Sequence, residues 1–181
     1  MRLTKTLTIL AASAVLTATP VLAEKRVTIS NWTSPNHATS RGHAAFADMT
    51  EAEFPDAFDF KLFAGGALLG PKPTLSGLRD GVADVGLLAL TYFPSEMPYA
   101  QLVADLALLG EDHYAMAGAT SEFVMLHCQP CKDEFAKNGM VALSGISTAP
   151  YVLLTTKPIV EISDMQGVKL RTGGSVWDRW A

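Results

Sequence analysis

The chain has 181 residues, 18 acidic and 14 basic side chains, a formal net charge of −4 and only two cysteines. A mildly acidic chain without a basic run lacks the electrostatic footprint of a nucleic-acid-binding protein. Its four histidines, His37, His43, His113 and His127, show no metal-ligand spacing, so neither a metal nor a cofactor is assigned.

Arg2 and Lys5 precede an apolar segment from Leu7 to Leu16 and then Pro20-Val21-Leu22-Ala23. That is the three-part plan of a secretory signal peptide, with Val21 and Ala23 as the small residues before the cut. The apolar segment falls short of the ~20 residues a membrane-spanning helix needs. Residues 1–23 are therefore expected to be removed. The remaining 158 residues would carry a net charge of −6, because Arg2 and Lys5 leave with the signal. That is chain enough for one modest core, expected outside the cytoplasm, in the periplasm.

Val27-Thr28-Ile29-Ser30 is β-branched and predicts a first strand, followed by a loop from Asn31 to Asn36. His37 to Glu53 predicts an amphipathic helix, with Ala45, Phe46, Met49 and Ala52 near one face. Phe58 to Phe63 alternates in part and predicts a second strand. Gly65-Gly66-Ala67-Leu68-Leu69-Gly70 reads as a loop. Pro71 or Pro73 suits a helix start, Leu75, Leu78 and Val82 recur at helical spacing, and Gly81 weakens the helix end. Val85 to Leu90 is a short apolar run and predicts a buried strand, with Thr91, Tyr92 and Phe93 at its mouth. Loop, helix, strand and loop make one α/β unit, and in an open sheet ligands gather at the strand ends.

Pro94 and Pro98 punctuate a loop and a short helix. Asp112 caps a predicted helix from His113 to about Leu126, and Asn138-Gly139 is a helix stop. Met140–Leu143 and Tyr151–Thr155 predict two further strands, and a third ends at Arg171. Ser175 is a good N-cap for a last helix with Val176, Trp177 and Trp180 on its apolar face. Strands alternate with helices throughout, so the class is α/β.

Cys128-Gln129-Pro130-Cys131-Lys132 is similar to the C-x-P-C-K redox motif of thioredoxin-like proteins. Pro130 suits a helix start, which would leave Cys128 at the positive helix end with a lowered pKa. A thioredoxin fold needs helix, strand and helix after the motif, whereas Lys132 to Pro150 has room for one helix and one strand. A haem site would need histidine where Lys132 stands. A local structural disulfide between Cys128 and Cys131 is the simpler reading outside the cytoplasm, and so short a loop stabilises little. A periplasmic thiol–disulfide protein using both cysteines is the rival.

Two stretches resemble the solute-binding proteins of TRAP transporters, the tripartite ATP-independent periplasmic carriers of organic acids. The first is the glycine-rich loop ending in Gly70, with the helix and Gly81-Val82-Ala83-Asp84-Val85-Gly86 behind it. The second is Lys157-Pro158-Ile159 followed by Ser163-Asp164-Met165-Gln166-Gly167-Val168-Lys169-Leu170-Arg171. The resemblance implies a periplasmic-binding-protein fold of two lobes in chains about twice as long. Here 24–148 would be the first lobe, and 149–181 the crossover and start of the second.

It also implies that Arg171 grips a substrate carboxylate, for which a planar guanidinium fork is suited. Asn31 and Trp32 would line the cleft, and Thr91 and Tyr92 would stand at its mouth with the Tyr92 hydroxyl facing in. Gly173 and Gly174 either let backbone approach the ligand or simply make a turn. The implied partners are a small organic anion and the membrane permease subunits of an ion-gradient transporter. The better-known dicarboxylate and sialic-acid members carry a second arginine before the Lys-Pro pair, where this chain has Ala149-Pro150-Tyr151-Val152-Leu153. A monocarboxylate, a 2-oxo or hydroxy acid or a sulfonate is then as fitting as a dicarboxylate. A binding protein of an ABC importer would share the two-lobe plan. No paired nucleophile and base occur at a recognisable spacing, so an enzyme is not expected. With half a cleft wall, weak binding is expected, along with exposed apolar surface at Val152, Leu153, Trp177 and Trp180.

Overall fold

The β-branched run of β1 (Lys25–Ser30) buries Val27 and Ile29, the latter completely, and forms the middle of a three-stranded sheet. The computed structural model describes residues 24–105, 110–148 and 151–180. The predicted signal segment lies outside them. β2 (Phe58–Phe63) runs parallel to β1 along its whole length, from Lys25 opposite Phe58 to Ser30 opposite Phe63. β3 (Val85–Gly86) is parallel to β1 on the other side, opposite Ile29 and Ser30. Parallel neighbours require crossovers. α1 (Ala38–Glu53) makes the first and α2 (Thr74–Arg79) lies in the second. Phe46 of α1 meets Phe60 of β2 edge to face at 5.6 Å, fixing helix to sheet. All three strands therefore release their carboxyl ends at one edge, where the following loops collect.

β3 is much shorter than the predicted Val85–Leu90 strand. β1 ends at Ser30, so the ladder closes with Leu87 N–H donating to the Ser30 carbonyl at 3.3 Å. The chain then enters a 3₁₀ turn at Leu90–Tyr92. Leu88 and Leu90 are apolar because they pack on the core, and no strand partner is involved.

The Gly81–Gly86 motif is scaffolding. Gly81 takes φ +73° and ends α2, with Val82 N–H donating to the Gly77 carbonyl at 2.8 Å. Asp84 then clips β1 twice: its Oδ2 accepts from Thr28 N–H at 2.7 Å, and its own N–H donates to the Thr28 carbonyl at 2.9 Å.

A helical layer supplies the larger apolar core, in which Leu75, Phe93, Met97, Val124, Cys128 and Phe135 meet. It comprises α3 (Pro98–Asp105), α4 (His113–Glu122) and α5 (Gln129–Lys137). Asp112 caps α4 as expected, its Oδ1 accepting from Tyr114 N–H at 2.8 Å and Ala115 N–H at 3.3 Å. The predicted single helix changes its hydrogen-bond spacing near its end. Phe123–His127 is π-helical, and the wider turn lets Cys128 N–H donate to the Phe123 carbonyl at 2.7 Å and sets Cys128 inward as the N-cap of α5. α5 stops at Asn138, with Gly139 at φ +71°, as expected.

Met140–Leu143, Tyr151–Thr155 and the run into Arg171 are not strands. A strand exists only with a hydrogen-bonded neighbour, and no described segment runs beside them. Val152 and Leu153 are exposed, as expected. Trp177 is buried instead, and the Trp180 and Val176 side chains lie outside the described ones. α6 (Ser175–Trp180) begins at Ser175, and its first intrahelical bond is accepted by the Gly174 carbonyl, from Asp178 N–H at 3.0 Å. Gly174, not Ser175, thus holds the cap position.

Candidate functional site

Asn31 leaves β1 at the sheet edge and is completely buried. Its Oδ1 accepts from Thr33 N–H at 2.9 Å and from the Thr33 hydroxyl at 2.8 Å. Its Nδ2 donates to Thr39 Oγ1 at 3.4 Å and to His43 Nδ1 at 3.2 Å. Thr33 Oγ1 continues the network to Ser40 Oγ at 2.9 Å. The amide is fully engaged in bracing the start of α1 against the sheet. His37 caps that helix, its Nδ1 accepting from Thr39 N–H.

His43 must be neutral at Nδ1 to accept the Asn31 N–H, and burial lowers its pKa from the ordinary 6.5. The folded protein therefore resists protonation that the unfolded chain accepts. His43 sets no penalty above about pH 6.5, and its cost to stability grows as pH falls below that, until the folded-state imidazole itself takes a proton. The melting temperature is expected to fall between pH 6.5 and 5, and more shallowly in His43→Gln. Equal slopes in the two proteins would show that His43 has no part in it.

Trp32 follows Asn31 and is half-buried. Its indole N–H donates to the Leu87 carbonyl at 2.9 Å, tying the β1 exit to the β3 exit. Gly66 lies over it with φ +73° and donates its N–H to the Asn31 carbonyl at 3.1 Å, while Gly65 donates to the Thr33 carbonyl at 2.7 Å. The glycine-rich loop thus folds its backbone across the end of β1.

Thr91 and Gly173, far apart in sequence, are brought together. Thr91 Oγ1 donates to the Gly173 carbonyl at 2.9 Å. Gly174, at φ +144°, packs so closely that a Cβ there would fall 2.7 Å from the Thr91 carbonyl oxygen, a distance only glycine avoids. Tyr92 is half-buried and packs on the helical core, so its ring covers apolar side chains.

Arg171, two residues before this contact, is exposed and makes no ion pair or hydrogen bond among the described residues. The run Arg171-Thr172-Gly173-Gly174 thus carries a free guanidinium on a turn fastened beside the β3 exit. Arg179 of α6 attracts the Asp105 carboxyl of α3, whose pKa burial pushes upward against that attraction and the Gln101 hydrogen bond.

The Tyr151–Trp177 pairing was not legible in the sequence. Their rings stack with centroids 4.3 Å apart and a 31° tilt, directly beside Gly173. Two shallow depressions lie elsewhere. One, of about 190 Å³, is lined by Val103, Met116 and Phe123, and the other, of about 150 Å³, by Lys72, Arg79 and Glu96. Neither includes a residue expected to bind.

Cys128 and Cys131 form a disulfide. Both are buried, Cys131 completely, in the core with Val124 and Phe135. A thiol partner cannot reach sulfurs so placed, so the bond is a structural one.

A parallel sheet that gathers its loops at one edge, beside a free cation, is the plan of an α/β ligand-binding protein. The model of DctP, bacterial extracellular solute-binding protein family 7, matches residues 29–179, and the chain belongs to that family. A "Solute-binding protein" of Albidiferax ferrireducens is 26% identical over 133 residues, which are 74% of this chain and 38% of that protein. The fold is shared with a TRAP periplasmic solute-binding protein from Desulfovibrio salexigens, captured in an open complex with the C-terminus of a symmetry mate in its ligand-binding site. It has a TM-score of 0.57 and 23% identity over 63% of this chain and 34% of that one. A second such protein, from Sulfitobacter sp. NAS-14.1 with bound β-D-galacturonate, has a TM-score of 0.52 and 22% identity, over 66% of this chain and 38% of that one. The chain spans well under half the length of these relatives.

Proposed function

We propose that this chain is the ligand-capturing first lobe, residues 24–148, and the opening of the second lobe, residues 149–181, of a periplasmic TRAP solute-binding protein. It takes a small organic acid and passes it to a membrane permease. The observation that carries this is the free guanidinium of Arg171 on the turn that Thr91 fastens to the β3 exit. A guanidinium that no carboxylate among the described residues neutralises offers two parallel donors to a carboxylate of the ligand. Trp32 gives its exposed ring surface to the ligand's carbon skeleton, while its N–H holds Leu87. Thr91 and Gly173 set the backbone of the grip. Asn31 acts from behind, and Tyr92 closes the core beneath the mouth. Galacturonate, held by the Sulfitobacter protein, is an acid of the kind such a grip accepts.

Arg171→Ala tests this. Carboxylate affinity, followed by titration, is expected to fall roughly 30- to 100-fold, the loss of a charge-assisted hydrogen-bond pair, with the melting temperature unchanged. Unaltered affinity would remove Arg171, and the reading with it.

A further inference from the structure

The sheet guards its outer strand β2. Ala57 and Phe63 turn their carbonyls to β1, so by alternation Phe60 turns its backbone outward. Glu51 of α1 accepts that Phe60 N–H at 2.8 Å, and the charged Asp59 and Lys61 flank it. An edge so capped resists the addition of another strand. The stretch after α5 has no such guard. No charged residue occurs between Lys137 and Lys157. Met140 and Ala142 pack on the helical core while Val141 and Leu143 are exposed, which is the two-residue period of a strand. Yet no backbone group from Val141 to Ser147 bonds to another backbone group among the described residues.

One edge of this stretch is occupied. Gly145 N–H donates to the Ser121 hydroxyl at 2.8 Å, and its carbonyl stands 3.3 Å from the same oxygen. A Cβ on Gly145 would fall 2.9 Å from the Ser121 backbone nitrogen, so α4 lies directly against it. In an extended chain the neighbouring residues turn their backbone groups the other way. Ser144 and Ile146 therefore offer theirs on the opposite, open edge.

We propose that this open edge pairs with the same edge of a second copy, antiparallel across a two-fold axis. The occupant is itself an extended backbone, because only that satisfies a row of alternating donors and acceptors. A second copy supplies one with no charge to repel the first, and with Val141 and Leu143 to pack against their like across the pair. Closure follows from α4. With the Ser121 side taken, each copy has one edge to give, so pairing ends at two and does not run on into a fibre.

Sedimentation equilibrium of the purified chain tests this. The mass is expected to rise from one copy to two as the concentration passes about 50 μM, the weak range that so small an interface supports. Val141→Lys brings like charges together across the pair. Ser144→Pro removes an N–H from the open edge that makes no backbone bond within the single chain. Each should raise the midpoint concentration at least about 10-fold, with the melting temperature of the single chain unchanged. Met49→Lys makes the same change at an equally exposed apolar residue on α1 and should leave the midpoint where it was. Above the midpoint, hydrogen exchange is expected to show the Ser144 and Ile146 amides newly protected.

A mass of one copy throughout, larger species with no plateau at two, or a dimer indifferent to Val141→Lys and Ser144→Pro would overturn the pairing. Protection of the Ser144 and Ile146 amides in the single chain would overturn it too, by giving the stretch a partner of its own. Arg171→Ala, on which the carboxylate reading turns, should leave the dimer intact, so the two proposals fail separately.

Discussion

Alanine at Asn31 is expected to lower the stability of the unliganded protein by about 3 kcal/mol, the scale of leaving several buried polar groups unpaired. The Asn31 amide satisfies the Thr33 backbone N–H and hydroxyl on one side and donates to Thr39 and His43 on the other. Removing it strands the buried Thr33 N–H and leaves His43 Nδ1 without its donor. Urea denaturation at neutral pH measures the loss. The alternative, that Asn31 hydrogen-bonds the ligand, makes the opposite prediction. Stability would then fall by well under 1 kcal/mol while affinity collapsed, and that outcome would return Asn31 to the ligand's surroundings.

The second large effect is expected at Glu134. α3 begins at Pro98, whose missing N–H suits a first helical position, but the residue before it, Met97, is completely buried and has no oxygen with which to cap. Glu134 reaches across from α5 instead. Its Oε1 accepts from Tyr99 N–H at 2.8 Å and its Oε2 from Ala100 N–H at 2.9 Å. A carboxylate there also faces the positive end of the helix. Glu134→Ala is expected to cost about 2 kcal/mol, since two first-turn donors lose their acceptor, the Ala100 N–H in a buried setting and the Tyr99 N–H in a half-buried one. Glu134→Gln keeps one carbonyl acceptor and should lose about half as much. Identical denaturation midpoints for the alanine variant and the parent would show that the cap carries no weight.

The elements readable from sequence were those fixed by neighbours along the chain. The β-branched run at Val27–Ser30, the helical spacing over His37–Glu53 and the Asp112 and Asn138-Gly139 stops all lie where local chemistry places them. Strands were legible only where a partner exists. Phe58–Phe63 finds β1, while Met140–Leu143 and Tyr151–Thr155, with equally suitable composition, find none among the described residues. The glycine-rich motif carried the family resemblance correctly, although its glycines and Asp84 act as framework. Of the expected site residues, Thr91 and Gly173 meet in space, and Arg171 stands free beside them. The role of Asn31 was opaque because its partners lie on a helix whose packing no residue pattern specifies. Trp177 looked like exposed apolar surface because its burial depends on Tyr151, which the chain brings to it only after a long excursion.

The clasp between Thr91 and the Gly173-Gly174 pair has an evolutionary consequence. Position 174 tolerates no side chain, because any Cβ collides with the Thr91 backbone, whereas the residues flanking it face no such obstacle. The exposed Arg171 can therefore change without disturbing that joint, whereas position 174 cannot. The joint thus fixes residue 174 as glycine through a backbone contact made 83 positions back along the chain.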